Sequence, residues 1–534
     1  MITKNMISRG KLGIILLLSV FLASCSDDVN KWDVDPSYGR LYQTTHFEVE
    51  ELMATSVKLK FNGISDATKY VFEFSMGKEN EFDNIVRTEE VKADTLTPYS
   101  EGKVVVQNEY LKTFDDLGGT TQYSVRVKGV NEQTGAESKW NTLSFKTPAE
   151  QIFIGATPGI KDAVLNWESD KATTNIKLSS IIGKDTTEIK TVSLSAAQQS
   201  SGEILFEGLS PGTKYIAQIM NGEFLRGTWI FNTLGSSEGV AIEVKNGDNL
   251  NTLLAEAGSE TVTLIFKGGE YYEIGNVNVP APVKNLYMAG TLVNGKRAEL
   301  HIPSFGINTN VENLHFQYID INAQAGFWMM VRGSYAFNDM YFTGCIIRNL
   351  NNCILYASAN IELGGIFVDN CILDHVSTGG WGAFNIAGNT KARELQITNT
   401  TIMEVGDQLM DIRVPLELIK LDHITFCNYQ TGLPKFILAT KQPGVMQATN
   451  MIIAGDNAGQ KINSGYGDYS AWLDFSGCYM TSDFPESTRK FTNITHLDYT
   501  SEEFFVDPRN GDFHIKENVN FRGKGKVGDP RWWK

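Results

Sequence analysis

The sequence predicts an all-β chain in which two β-sandwiches precede a right-handed parallel β-helix. Three observations carry this. Short strands of alternating polarity recur between residues 42 and 235. A six-residue pattern then returns at intervals of 24 to 29 residues through the C-terminal half. Glycine, at 49, far outnumbers proline, at 14, as a turn-rich β-protein requires.

The first module is placed at 42–148. Val57-Lys58-Leu59-Lys60-Phe61 alternates inward and outward, as does Tyr70-Val71-Phe72-Glu73-Phe74. Tyr123-Ser124-Val125-Arg126-Val127 and Leu143-Ser144-Phe145 complete the unit. The second module, 149–235, supplies Trp167 as an early core residue, then Leu209-Ser210-Pro211-Gly212-Thr213-Lys214-Tyr215. That segment resembles the tyrosine corner of fibronectin type III domains, in which the hydroxyl bonds back to the backbone. Leu117, Thr120 and Tyr123 form a looser version in the first module. Such modules are expected to act as spacers.

The repeat has an apolar residue first and last and a turn-former third. Its instances are Phe316–Ile321, Phe342–Ile347, Val368–Leu373, Ile397–Ile402, Leu421–Phe426, Ala448–Ile453 and Phe475–Met480. The third positions are 318, 344, 370, 399, 423, 450 and 477. A period in the twenties with β-branched content indicates a solenoid, and no leucine-rich frame recurs. Gly344, Asn370, Asn399, Asn450 and Gly477 are placed at a left-handed bend. The next residues, Ile319, Cys345, Cys371, Thr400, Ile424, Met451 and Cys478, should point inward. Three cysteines thus become small buried hydrophobes rather than metal ligands. The β-helix is placed at 236–503, with less regular coils before 314 and a cap at 504–534. Trp532-Trp533 are expected to cover its last layer.

At 534 residues the chain has room for about three domains. Its 42% hydrophobic and 20% charged content excludes disorder for most of its length. Asp+Glu outnumber Lys+Arg by 62 to 47, a net charge of −15, which excludes a general attraction to nucleic acid. The six cysteines include no C-x-x-C.

The N-terminus reads as an address. Lys4, Arg9 and Lys11 precede an apolar stretch over 12–22, too short to span a bilayer. Leu22-Ala23-Ser24-Cys25 resembles a bacterial lipobox, which makes 1–24 a signal peptide and Cys25 the lipidated residue of a tether over 25–41. Ser26-Asp27-Asp28 resembles the surface-export signal of Bacteroidetes lipoproteins. With these features and the closing Gly528-Asp529-Pro530-Arg531-Trp532, the chain resembles Bacteroidetes surface lipoproteins with fibronectin type III modules and a pectate-lyase-like β-helix. The resemblance spans essentially the whole mature chain. It implies an outer-membrane protein facing outward and working on polysaccharide; whether an outer-membrane glycan transporter is a partner is left open by the sequence. The group has no settled activity to carry over.

β-Helix enzymes of this kind cut acidic polysaccharides by two routes. The paired carboxylates of a hydrolase are missing, since Asn399-Thr400-Thr401 lacks the aspartate of the N-T-D motif. For a lyase, Ile372-Leu373-Asp374-His375 resembles the W-I-D-H segment of one pectate lyase family, without its tryptophan. Arg413-Val414-Pro415-Leu416-Glu417-Leu418 begins like that family's R-x-P-x-x-R, but Leu418 replaces the last arginine. Asp374, His375 and Arg413 are therefore the catalytic candidates, and Ca²⁺ is expected only under this alternative. Asp369 and Asp422 share an outward register but are separated by the coil of Thr398, too far for one Ca²⁺.

Non-catalytic binding of plant-type polysaccharide, pectic chains among them, is the leading expectation, with no cofactor. Phe327, Trp328, Trp381, Tyr466, Tyr469 and Trp472 would stack on sugar rings. Arg332, Arg413 and Lys391 would meet uronate carboxylates. A surface adhesin or structural protein is the third reading.

Overall fold

The computed structural model describes residues 39–430, 432–466 and 473–533. Two compact units result. The first runs through the first sandwich to Ile152 and takes in Thr173–Asn175 and Gln218–Thr228; the second holds the rest of the second sandwich and the β-helix.

The first sandwich sets one four-stranded sheet (Phe47–Leu52, Val57–Asn62, Val104–Phe114, Thr97–Glu101) against another (Ile85–Lys92, Lys69–Met76, Gln122–Val130, Asn141–Lys146). Val57, Leu59 and Phe61 point into the core and the intervening lysines point away, so the alternation read from sequence is the packing. The second sandwich has three strands (Phe153–Pro158, Asp162–Trp167, Glu203–Glu207) facing four (Asp185–Ser193, Asn175–Ile182, Lys214–Asn221, Phe224–Asn232). This is the fibronectin type III arrangement. Both tyrosine corners close: the Tyr123 hydroxyl accepts from the Gly118 amide at 2.8 Å, and Tyr215 accepts from Ser210 at 2.9 Å.

From Val240–Glu243 onward the chain winds into a parallel β-helix of about nine turns. Seventeen described strands form one continuous ribbon that folds into a first and a second face, and eight short strands form a third face. The fold between first and second face falls at the predicted third positions. Residues 318, 344, 370, 399, 423, 450 and 477 have φ of 53°, 64°, 54°, 48°, 54°, 53° and 77°. Tyr318 and His423 thus adopt the left-handed bend as well as the glycines and asparagines. The residue after each bend is only 0–1% exposed, which puts Cys345, Cys371 and Cys478 inside. Burial pushes the Cys371 thiol up, and the Cys353 and Cys478 thiols up to about 12.

The end of the chain corrects one expectation. Residues 504–533 do not plug the open end of the solenoid. Phe504, Phe505, Phe513, Phe521 and Val527 pack with Cys427, Ile452 and Ala454 on the outer side of the second face. Trp532 donates its indole N–H to the Thr401 hydroxyl at 2.7 Å, and Trp533 lies edge-on to His423. The reason is register: Thr401, Thr425 and Ile452 stack on the outward side of successive coils and need cover. The last core layer comes instead from Phe475, Phe484 and Phe491, which pack edge to face.

Candidate functional site

The third face positions the site. Strands Met329–Val331, Leu355–Ala357, Phe384–Ile386 and Met410–Ile412 stack in register, so Met330, Tyr356, Asn385 and Asp411 form one outward column. Asn385 and Asp411 are nevertheless only 2% and 1% exposed. The loop leaving the second face, Ser377 to Gly382, folds back over them: Gly382 packs directly against Gln408 and Asp411.

Within that loop Trp381 stands at φ +80°, between Gly380 at +116° and Gly382 at +79°. Bulky residues avoid this region, and holding one there costs about 1–3 kcal/mol. Hydrogen bonds impose it. The Gly382 amide donates to the Ser377 hydroxyl at 3.0 Å, that hydroxyl donates to the Gly380 carbonyl at 3.2 Å, and Asn385 donates to the Trp381 carbonyl at 2.8 Å. With its carbonyl turned in, the Trp381 ring is held out and is 49% exposed. It meets Phe327 and Tyr356 edge to face, with ring centres 5.8 and 6.1 Å away, and those two lie 5.4 Å apart.

Two guanidinium groups flank these rings. Arg332 lies over Tyr356 at 5.9 Å and makes no ion pair among the described residues. Arg413 clamps Asp411 through two bonds of 2.9 and 2.8 Å. The bond to Asp411 raises the Arg413 pKa further above its ordinary value, so this group stays a cation.

The structure corrects further expectations. Trp328 is 0% exposed, surrounded by Phe305, Phe316 and Phe342, and offers no face to a sugar. Trp328 and Met329 both turn inward as the chain enters the third face, which leaves only Phe327 outside. Lys391 pairs with Glu362 on the first face, away from the rings. Asp374 and His375 bond to each other at 2.6 Å at the end of the second-face strand Ile372–Val376, whereas Arg413 follows a third-face strand. No hydrogen bond or ion pair among the described residues joins Arg413 to either. Cys25, Tyr469 and Trp472 lie outside the described residues, as does the side chain of Tyr466. Tyr356, central to the cluster, was not singled out from sequence; its place between inward Leu355 and Ala357 is the signal that marks it.

Asp369 and Asp422, read as too far apart to share one Ca²⁺, each bond to the following coil. Asp369 accepts from Thr398 and Asn399 of the following coil at 2.6 and 2.8 Å, and Asp422 accepts from Thr449 and Asn450 at 2.8 and 2.9 Å. Each serves as a staple between coils. No group of three or more His, Cys, Asp or Glu among the described residues is placed to hold a metal ion.

Residues 419–532 match a family described as a domain of unknown function, DUF5123. No curated protein matches the sequence. Among solved structures, the chain is similar to the two fibronectin type III domain segment of chicken tenascin, at 15% identity and a TM-score of 0.23, over 36% of this chain and 99% of that one. It is also similar to the FN1–FN3 domains of chicken CNTN1, at 12% identity and a TM-score of 0.17, over 36% of this chain and 65% of that one.

Proposed function

We propose that this protein binds polysaccharide without cleaving it, at the rings of Trp381, Tyr356 and Phe327. The observation that carries the reading is Trp381 itself, a half-exposed aromatic on a left-handed backbone that a hydrogen-bonded loop maintains. Sugar rings present apolar faces to aromatic side chains and polar edges to side-chain hydrogen bonds. Arg332, without a carboxylate partner among the described residues and lying over Tyr356, suits the carboxylate of a uronate. Plant-type chains with acidic residues, pectic ones included, fit this combination. The lipobox at Cys25 supports an outer-membrane anchor facing outward, where a glycan transporter would be the natural partner. No helix among the described residues is long and apolar enough to cross a membrane.

Affinity gel electrophoresis against acidic and neutral plant glycans tests this. Retention that Trp381→Ala abolishes is the expected result. Protein that no glycan retains would sink the proposal. Following absorbance with and without Ca²⁺ covers the lyase alternative, because unsaturated uronate products would replace binding with cleavage.

A further inference from the structure

A cavity of about 470 Å³ lies outside the aromatic cluster, where the second face turns toward the third. Gln324, Gly326, Asn349, Asn351, His375 and Thr378 line it. The three coils that build it repeat one backbone feature: Gln324, Asn349 and His375 have φ of 46°, 62° and 52°. That left-handed step interrupts strand alternation and turns neighbouring side chains out together.

The lining is rich in hydrogen-bonding groups and carries no Lys, Arg, Asp or Glu. Among the described residues, the Gln324 amide and the Asn351 Nδ2 make no hydrogen bond. Asn351 uses Oδ1 to accept from Thr378 at 3.4 Å, and His375 commits Nδ1 to Asp374, which leaves Nε2 toward other partners. Primary amides offer donors and acceptors side by side, as adjacent sugar hydroxyls require. A uronate carboxylate would find no lysine or arginine among these six residues.

The cavity and the aromatic cluster share chain segments. Gly326 precedes Phe327, and Thr378 lies in the same loop as Trp381. The coils are pinned together here: the Asn352 amide donates to the Gly326 carbonyl at 2.8 Å, and the Gly379 amide donates to the Asn351 carbonyl.

We propose that this cavity is a subsite for a neutral sugar residue of the same polysaccharide whose neighbouring residues lie on Trp381 and Tyr356 beside Arg332. This rests on the polysaccharide-binding reading. The ligand class is accordingly a mixed chain, with a neutral sugar at the amides and an acidic one at the arginine.

The test is titration calorimetry of the purified protein with neutral xylo-, galacto- and arabino-oligosaccharides and with oligogalacturonates of two to six residues. Gln324→Glu and Asn351→Asp keep side-chain size, and the latter keeps the acceptor for Thr378. Each should weaken binding of a neutral oligosaccharide about tenfold, the scale of one lost hydrogen bond. Trp381→Ala should weaken it independently. If only Trp381→Ala has an effect, the subsite is wrong and the aromatic reading stands. If only the two amide variants have an effect, the subsite stands and the aromatic reading falls. Loss confined to oligogalacturonate would overturn the neutral assignment. Wild-type protein that binds none of these sugars would overturn both.

Discussion

The side-chain amide of Asn385 donates to the backbone carbonyl of Trp381 across 2.8 Å, and this bond ties a buried column of the third face to an exposed ring. The same amide reaches the Asp411 carboxylate at 3.2 Å, and Asp411 holds Arg413. Backbone strain in the loop is thus balanced by a buried polar chain.

Trp381→Gly should separate strain from function. Glycine adopts φ +80° freely, so removing the ring relieves a backbone cost of about 1–3 kcal/mol. The thermal midpoint should hold or rise while glycan retention disappears. A lower midpoint with retention intact would sink the assignment.

Asn385→Ala should do the reverse to stability. It leaves the Trp381 carbonyl without this donor and takes one donor from an Asp411 oxygen that Arg413 still holds, at about 1–3 kcal/mol. Under the proposed function, affinity should fall although Asn385 is buried. Denaturant unfolding and gel retention on the same variant check both effects, and unchanged affinity would remove Asn385 from any positioning role.

Gly344→Ala should destabilise by about 1–3 kcal/mol. The bend needs φ +64°, and a methyl group there would meet the Tyr318 ring at 2.9 Å. Denaturant unfolding would show it as a lower midpoint with an unchanged slope.

The repeat made the β-helix legible because a left-handed bend followed by a buried residue leaves a mark in every coil. Tyr318 and His423 show that the mark is geometric rather than compositional: both accept the bend without being Gly or Asn. The site was legible only in part. Phe327 and Trp328 are both expected on sugar rings, but the chain turns as it enters the third face, which leaves Phe327 outside and Trp328 inside. Loop lengths between the second and third faces vary from coil to coil, so the repeat does not fix the phase of the third face. Period-two alternation within Leu355-Tyr356-Ala357 would have recovered Tyr356. The strain at Trp381 has no sequence mark beyond its flanking glycines.

Asp320 should make stability depend on pH. Burial pushes its carboxyl from 3.8 up to about 6, although Arg348 holds it through bonds of 3.0 and 2.9 Å; Glu299 and Arg297 are the other charges facing it. The folded state holds this proton more tightly than the unfolded chain. The contribution is therefore full below pH 4 and is lost as pH rises through 6, by about 3 kcal/mol. Asp320→Asn cannot titrate. Urea unfolding of both proteins between pH 4 and 7 should show the variant gaining on the wild type as pH rises. A constant difference would show that the carboxyl is already ionised at pH 4.

Asp529 should control the C-terminal segment alone. It is buried, which raises its pKa, and it accepts from the Thr401 hydroxyl at 2.7 Å and from the Arg531 amide at 2.9 Å. Its own amide donates to Thr425 at 2.9 Å, while Arg531 reaches back to the Asn370 carbonyl at 2.8 Å. One carboxylate therefore clasps the segment across several coils. Asp529→Ala leaves Arg531 without its charge partner and should cost about 3 kcal/mol. Limited proteolysis should then cut within 504–533 before any coil of the β-helix, with glycan retention unchanged. The match over residues 419–532 fits this unit, since it contains both Thr425 and Ile452 on the covered face and Asp529 on the segment that covers them. Simultaneous loss of the whole β-helix on proteolysis would show that the clasp stabilises the solenoid and not merely its cover.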